Sequence, residues 1–295
     1  MRKLLVILFL FLFLSINFSN AISIFIYPSN QIFKKGETIG LIIFEDETNK
    51  VQSISIEDKI FPKMYEVSNG VYYSLLPIPH TVLTNFYLKI LTFSGNFSNT
   101  IQIPFEVNID PLLYAKRKPK VIKSFEVSND FSFKTNKFNK FFDEDFTNVI
   151  SVFIKPVEGE IKDGYGVNRS RGGIVYGRIH LGIDIPKNRG EKVFSTFNGI
   201  VVESSRDRKA GKYVVVYHGF GLSSVYMHLS KILVKKGQIV NTNDIIGLVG
   251  STGRSTGPHL HFGISIDGIY VDPTSFFERD YSFNSIISNG VRFEF

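Results

Sequence analysis

The chain has 295 residues, a formal net charge of +7, 43% hydrophobic residues and no cysteine. This length suits two domains, each with an apolar core. The lack of cysteine excludes disulfides, thiolate nucleophiles and cysteine-bound metals, so any metal must be held by His, Asp or Glu. The search for a site can therefore start from the histidines, which are His80, His180, His218, His228, His259 and His261.

Residues 1–21 are typical of a secretory signal. A basic start and an apolar run from Leu4 to Leu14 precede small residues at Ser19 and Ala21, and the run is shorter than the ~20 residues of a membrane span. We expect an exported protein of the periplasm or cell envelope, with no nucleic-acid partner. The alternative, an uncleaved run, would anchor the N-terminus in the membrane. The positive charge suits contact with anionic wall polymers or lipid headgroups.

Residues 22–107 contain short alternating apolar runs separated by turn dipeptides such as Lys35-Gly36 and Asn69-Gly70. This regular pattern predicts a β-sandwich of immunoglobulin-like form. His80 lies in a proline-rich loop, where a surface position is expected.

Residues 108–148 form a predicted linker, with a basic run at 115–120 that is typical of solvated surface. A role of that run in wall or membrane contact is the alternative. Residues 149–277 are rich in glycine and predict a second β domain, and the tail at 278–295 has too weak a pattern for a prediction. The strands predicted in the second domain are 152–154, 193–195, 200–203, 213–217, 223–227, 245–249 and 260–266.

The first chemical motif places His180 four residues before Asp184, in a segment of poor helix formers. On a straight strand the two side chains share a face, but their Cα atoms lie about 13 Å apart. Zinc–ligand bonds are only ~2 Å long. Both side chains can reach one ion only if the chain bends between them, and Gly182 is placed to allow this.

The second motif pairs His259 with His261 on a predicted strand. Both face one side with Cα atoms about 6–7 Å apart, while Leu260 and Phe262 face the other side and a core. One histidine can then bind a metal while its neighbour faces the substrate. The preceding loop, residues 250–258, is punctuated by glycine, which would let a peptide lie close to the backbone.

A third strand carries His228, with Tyr226 expected on the same face and Met227 on the other. His218 ends an apolar strand before a glycine, which favours a structural role. Each motif is weak alone. Together, however, they place four of the six histidines and one aspartate on three polar-faced segments, and this favours a single site.

Residues 156–277 closely resemble the catalytic domain of the lysostaphin-like zinc endopeptidases. The resemblance is carried by residues 180–184 (HLGID), 226–230 (YMHLS) and above all 253–262 (GRSTGPHLHF). Many members have Glu after the last of these strings, where this chain has Gly263. Residues 22–107 resemble, less strongly, the immunoglobulin-like domain that some exported members carry in front.

The resemblance implies a mainly β fold, with an N-terminal immunoglobulin-like β-sandwich and a C-terminal antiparallel β-sheet catalytic domain of lysostaphin type. It implies one Zn²⁺ per chain, held by His180, Asp184 and His261, with the fourth position open to water. His228 and His259 would be the unligated catalytic pair, and the sequence does not tell which of them is the base. The implied substrates are peptide stems or cross-bridges of peptidoglycan.

Three other interpretations stay open. The main alternative is a non-catalytic wall-binding or amidase-activating envelope protein, although relatives of that type usually lack one or more of the five site residues. A second alternative is an envelope adaptor in which the sandwich is the working part. A third is a latent enzyme whose cleft is shielded by residues 108–148. The sequence predicts neither the oligomeric state nor the peptide bond that is cut.

Overall fold

The computed structural model describes residues 22–29, 32–56, 58–78, 85–108, 152–171 and 174–294. The predicted signal, His80 and the predicted linker beyond Asn108 lie outside these residues. The described part of the chain consists of β-strands and two short helices, which confirms the predicted mainly β fold class. None of its helices has the length and apolar character needed to cross a bilayer.

The N-terminal half is a sandwich of two sheets. One sheet has the strand order β21-β1-β3-β6-β5 and the other β2-β8-β7-β4, with β2 parallel to β8 and the other pairs antiparallel. Their bounds are β1 Ser23–Tyr27, β2 Ile32–Lys34, β3 Thr38–Phe44, β4 Lys50–Ile56, β5 Tyr65–Ser68, β6 Val71–Pro77, β7 Phe86–Ser94, β8 Phe97–Asn108 and β21 Val291–Glu294.

Immunoglobulin-type sandwiches place strands A, B, E and D on one sheet and C, F and G on the other. The order β1-β3-β6-β5 opposite β8-β7-β4 corresponds to that arrangement. The two-sheet sandwich is therefore observed, and its immunoglobulin-like form stays our interpretation of the topology.

The first sheet of the sandwich is buried on both faces. Alternate side chains such as Ile24 and Leu41 face the second sheet, as expected from the period of a strand. Their neighbours Phe25 and Ile42 face the other way and join the core of the C-terminal half. The two halves consequently share apolar packing, a feature that the sequence pattern does not reveal.

The C-terminal tail, whose pattern is too weak for a prediction, returns to the N-terminal half. Helix α1 spans Thr274–Glu278 and helix α2 spans Phe283–Asn289, with Ser282 as the N-cap that accepts a hydrogen bond from the Ser285 amide. Strand β21 then pairs antiparallel with β1, Ile24 opposite Phe293. Residues from both ends of the described chain thus build one sheet.

The C-terminal half is built on an antiparallel sheet of order β11-β19-β15-β14-β13-β17, with β20 paired to β19. A three-stranded sheet (β12-β18-β16) and the hairpin β9-β10 complete it. The bounds are β9 Asn168–Arg171, β10 Ile174–Ile179, β11 Ile183–Pro186, β12 Lys192–Phe194, β13 Gly199–Asp207, β14 Gly211–Gly219, β15 Leu222–Leu229, β16 Lys231–Ile232, β17 Ile239–Val240, β18 Ile245–Leu248, β19 His259–Ile266 and β20 Ile269–Val271.

The strand predicted at residues 152–154 is wrong. The Phe153 amide donates to the carbonyl of Phe276, whereas the Ile154 amide donates to the carbonyl of Thr196. Because these backbone bonds go to two different segments, no ladder forms. The apolar residues there still enter the core, where the Phe153 ring stacks on Phe197.

Candidate metal centre and its histidines

The register of two neighbouring strands places a carboxylate beside an imidazole. Strand β11 pairs with β19 so that Asp184 lies directly opposite His261. Directly opposed residues of antiparallel strands share a face of the sheet. Leu260 and Phe262 are fully buried on the other face. The alternation predicted for the His259–His261 strand is therefore what the structure shows.

His180 reaches the same point through a bend in the chain. It precedes β11, and Gly182 lies in the bend between them. A Cβ on Gly182 would lie 2.4 Å from the carbonyl oxygen of Phe262 and 2.9 Å from the imidazole of His261. A side chain therefore has no room there, and glycine permits the close approach that the sequence motif requires.

Three potential ligand atoms converge between these segments. His180 Nε2 lies 3.1 Å from Asp184 Oδ1 and 2.9 Å from His261 Nδ1. His261 Nδ1 lies 2.8 Å from Asp184 Oδ1. All three residues are buried. The structure thus brings together, from three positions in the sequence, the residues that the family resemblance implies as metal ligands.

The protons of His180 are fixed by the backbone. Its Nδ1–H donates a 2.8 Å hydrogen bond to the carbonyl of Gly164, which can only accept. In the neutral imidazole, Nε2 therefore carries a lone pair directed at Asp184. Two acceptors 3.1 Å apart repel each other unless a proton or a cation lies between them.

Electrostatics favour a cation at this point. Burial raises the pKa of Asp184, but contacts with His180 and His261 outweigh burial and hold this pKa well below its ordinary value. Burial also lowers the pKa of His261 to about 4, against the opposing effect of Asp184. At neutral pH the cluster therefore contains an ionised carboxylate and a neutral His261 imidazole, the forms that bind metals.

His259 lies beside this cluster with one nitrogen unused. Its Nδ1–H donates to the carbonyl of Gly257 at 2.9 Å, so its Nε2 carries the lone pair of the neutral form. That Nε2 is buried and makes no hydrogen bond with any described residue. It lies 3.7 Å from Asp184 Oδ1. A buried imidazole nitrogen without a partner is costly, and it points to a ligand or water at this position.

His228 reaches the site through a β-bulge. The register of β14 against β15 shifts so that Met227 and His228 both oppose Tyr213, and His228 has the left-handed φ of +63°. Its Nδ1–H donates a 2.8 Å hydrogen bond to the carbonyl of Thr252. Its ring centroid lies 4.8 Å from that of His259. His228 and His259 thus form a pair beside the three converging residues.

The expectation that Tyr226 and His228 share a face is wrong. Tyr226 opposes Phe262 and is buried with it in the core, whereas Met227 opposes His261. Simple alternation would place His228 on the core face with Tyr226. The bulge reverses the direction of His228, and no period-2 pattern could predict this.

The glycines of the 250–258 loop have a different function from the one we expected. A Cβ on Gly253 would lie 2.3 Å from the amide nitrogen of Gly211, and one on Gly250 would lie 2.3 Å from the amide nitrogen of Ser230. Both glycines therefore allow backbone segments of the chain to pack together. Of the loop's glycines, only Gly257 has no described heavy atom near its Cβ position, so only Gly257 leaves space for a peptide.

His218 lies elsewhere and is fully buried in the core. Its ring nitrogens contact the carbonyl of Asn198 at 2.8 Å and the hydroxyl of Ser224 at 2.7 Å. It is not part of the site. The partners that sequence reasoning missed are the carbonyls of Gly164, Thr252 and Gly257. Backbone carbonyls leave no residue signature, and only the fold brings them to the histidines.

The described residues fit a divalent metal. Nitrogen and carboxylate donors without thiolate suit zinc, and three protein ligands leave a position for water or substrate. The buried His259 Nε2, which has no hydrogen-bond partner among the described residues, adds a potential proton acceptor beside this cluster. An antiparallel sheet that carries a His–Asp–His cluster and two further histidines is the arrangement expected of the catalytic domain of a metallopeptidase.

The comparisons agree with this class of protein. Residues 178–273 match the family model described as Peptidase family M23. The match includes all five of the predicted site residues. The lysostaphin-like resemblance of this domain is thereby confirmed, whereas the roles of the individual residues stay predictions.

Curated relatives match parts of the chain. An uncharacterized metalloprotease of Buchnera aphidicola is 32% identical over 180 residues, covering 59% of this chain and 48% of the relative. The peptidoglycan DD-endopeptidase ShyA of Vibrio cholerae is 47% identical over 89 residues, covering 30% of this chain and 21% of the relative. The chain thus aligns with less than half of the length of these relatives.

Among solved structures, a putative peptidase M23 from Pseudomonas aeruginosa is similar over most of the fold. The similarity covers 82% of this chain and 93% of that chain, with a TM-score of 0.52 and 21% identity. It shows that the sandwich and the peptidase domain together resemble a known fold.

Proposed function

We propose that the protein is a zinc-dependent endopeptidase that hydrolyses peptide stems or cross-bridges of bacterial peptidoglycan. The observation that carries the proposal is the convergence of His180 Nε2, Asp184 Oδ1 and His261 Nδ1 within 2.8 to 3.1 Å of one another. The family match of residues 178–273 and the activity named for relatives such as ShyA support the substrate class.

His180, Asp184 and His261 would hold one Zn²⁺ per chain. The chemistry that zinc supplies in such a site is Lewis acidity, which polarises a carbonyl and lowers the pKa of water. The low pKa of Asp184 keeps its carboxylate ionised, and the Gly164 carbonyl fixes the tautomer of His180. Such outer contacts orient metal ligands and raise their basicity.

His228 and His259 would move the protons. Each has its Nδ1–H committed to a backbone carbonyl, so each presents an Nε2 lone pair in the neutral form. One accepts the proton of the attacking water, and the other, once protonated, donates to the oxyanion or to the leaving amine. Because the two rings are arranged alike, His228 and His259 are equally suited to act as the base, with the other residue as the acid.

The working location that we propose is the cell envelope, after export through the signal in residues 1–21. Peptidoglycan lies outside the cytoplasm, and the predicted signal has the features of export. Within the chain we propose a sandwich at 22–107, a linker at 108–148 and a peptidase domain at 149–277. The tail at 278–295 ends on the sandwich, because β21 extends its sheet.

The test is mass analysis of the fragments that the purified protein, residues 22–295, releases from isolated cell walls. Zinc content is measured on the same sample, and the assay is repeated with a chelator and after zinc is restored. We expect new amino termini in the peptide part of the wall, lost with the chelator and regained with zinc. Zinc bound without any cleavage would instead favour the non-catalytic wall-binding or amidase-activating alternative.

A further inference from the structure

A turn of the sandwich rests against the peptidase domain beside the candidate metal centre. This docking turn, residues 34–37, connects β2 to β3. The Gly36 carbonyl accepts a 2.7 Å hydrogen bond from the Asp272 amide, and the Glu37 carboxylate pairs with Arg279 at 3.0 Å. The docking turn is therefore held to the peptidase domain by a backbone hydrogen bond and to the start of the tail by a side-chain ion pair.

Gly36 packs directly on the ring of Tyr165. Gly36 has a φ of +88°, and a Cβ there would lie 2.4 Å and 2.7 Å from two ring carbons of Tyr165. On its other side, the Tyr165 hydroxyl donates a 2.7 Å hydrogen bond to the carbonyl of Tyr270 on β20. The ring is therefore held between the docking turn and the strand that pairs with β19.

Tyr165 lies at the centre of the segment that fixes two of the predicted ligands. This cradle segment is residues 162–167. Its Gly164 carbonyl accepts from His180 Nδ1, and its backbone exchanges hydrogen bonds with those of His180 and Asp184. The backbone distances are 2.8 and 3.0 Å at His180 and 2.9 and 3.0 Å at Asp184. A shift of the cradle segment would thus move both ligands.

We propose that Tyr165 is a positioning residue of the metal centre. In this proposal the sandwich sets the metal affinity of the peptidase domain through the packing of Gly36 against the Tyr165 ring. This inference rests on the proposed function. Gly164 directly precedes Tyr165 in the chain. A displacement of the Tyr165 ring would therefore move the Gly164 carbonyl, which orients His180. Loss of such an outer contact typically weakens metal affinity about 10–100-fold.

The experiment measures zinc affinity by competition with a chromophoric chelator, using residues 22–295. Gly36→Ala places a methyl group against the ring, and we expect its zinc dissociation constant to rise about tenfold or more. The matched control is Gly95→Ala, in another turn of the same sandwich. Gly95 also has a left-handed φ, of +60°, but no described heavy atom lies within 4 Å of its Cβ position. The control should bind zinc like the parent.

Two further variants separate positioning from loss of stability. Tyr165→Ala removes the ring, so Gly36→Ala should cause no additional loss of affinity in that background. Tyr73→Phe weakens the contact between the two halves away from the cradle segment and should leave zinc affinity unchanged. An equal effect of Gly36→Ala with and without the Tyr165 ring would overturn the proposal.

The remaining outcomes are also decisive. Zinc affinity of Gly36→Ala equal to that of the parent would overturn the inference while leaving the proposed function intact. A parent that binds no zinc would instead refute the proposed function. If Gly36→Ala does not fold, Tyr165→Phe takes its place, because it removes the anchor to Tyr270 and keeps the ring. Unchanged zinc affinity in a folded Tyr165→Phe variant would then overturn the inference.

Discussion

The hydroxyl of Tyr73, in the N-terminal sandwich, donates a 2.9 Å hydrogen bond to the backbone carbonyl of Tyr281, 208 positions later in the chain. Both side chains are buried. Around them, Phe25 and Leu75 of the sandwich share a core with Phe276 and Ile286 of the C-terminal half. The two halves are therefore stabilised by a common apolar interface, and we expect them to unfold together.

Tyr73→Phe should lower the free energy of unfolding by about 1–2 kcal/mol, because it leaves the buried Tyr281 carbonyl without its partner. The measurement is urea denaturation followed by circular dichroism. Tyr87→Phe, at an exposed tyrosine of the same sandwich, should change stability by less than about 0.5 kcal/mol. Equal effects of the two changes would show that the interface contributes little.

The isolated peptidase region without residues 22–107 should be less stable than the full chain, because Tyr281 and Ile286 would become exposed and β21 would lose its neighbour β1. The expected result is a lower midpoint of thermal unfolding, or aggregation. Assays on that region alone would therefore underestimate the activity of the full chain. A fragment as stable as the full chain would contradict the common interface.

His259→Ala and His261→Ala should separate catalysis from metal binding. We expect His259→Ala to keep zinc and to lose hydrolysis by roughly 10²-fold or more, since it removes a proton-transfer group. His261→Ala should lose both, since it removes a predicted ligand. Zinc content and the rise of the thermal midpoint on zinc addition provide the readouts. Equal loss of zinc in both variants would refute this division of roles.

Gly182→Ala should disturb the bend that brings His180 to Asp184. The added Cβ would lie 2.4 Å from the Phe262 carbonyl, so the backbone must move, at a cost of roughly 1–3 kcal/mol. We expect weaker zinc binding together with lower stability. If the variant binds zinc as tightly as the parent, the bend does not depend on glycine.

His218 should make stability depend on pH. Burial lowers the pKa of His218 from 6.5 to about 4. As pH falls from 6.5 to 4, His218 therefore takes up a proton in the unfolded chain but stays neutral in the folded chain. Its contribution is therefore fully favourable above pH 6.5 and is lost as pH falls toward 4. The loss approaches about 3 kcal/mol, at 1.36 kcal/mol per unit of pKa difference.

The measurement compares the free energy of unfolding of the parent and His218→Gln at several pH values between 7 and 4. Glutamine does not titrate, and every other ionisable group is the same in the two proteins. Any difference between their pH profiles therefore comes from His218. We expect the stability advantage of the parent to shrink as pH falls through this window. Parallel curves would show that His218 does not titrate differently in the folded and unfolded states.

The residues alone predicted the class of structure and the candidate residues of the site. Alternating apolar runs predicted strands because a strand repeats every two residues, and the spacing of His259 and His261 placed both on one face. The absence of cysteine limited the metal ligands to His, Asp and Glu. The bend at Gly182 also followed from the sequence, because His180 and Asp184 cannot otherwise reach one ion.

Only the tertiary structure decided which way His228 points, which carbonyls hold the imidazoles, and where the tail lies. A β-bulge turns His228 away from the face that alternation predicts, and bulges depend on the pairing of strands. The carbonyls of Gly164, Thr252 and Gly257 carry no side-chain signal. The contact between Gly36 and Tyr165 joins positions far apart in the chain, and such contacts follow from packing, which no local pattern encodes.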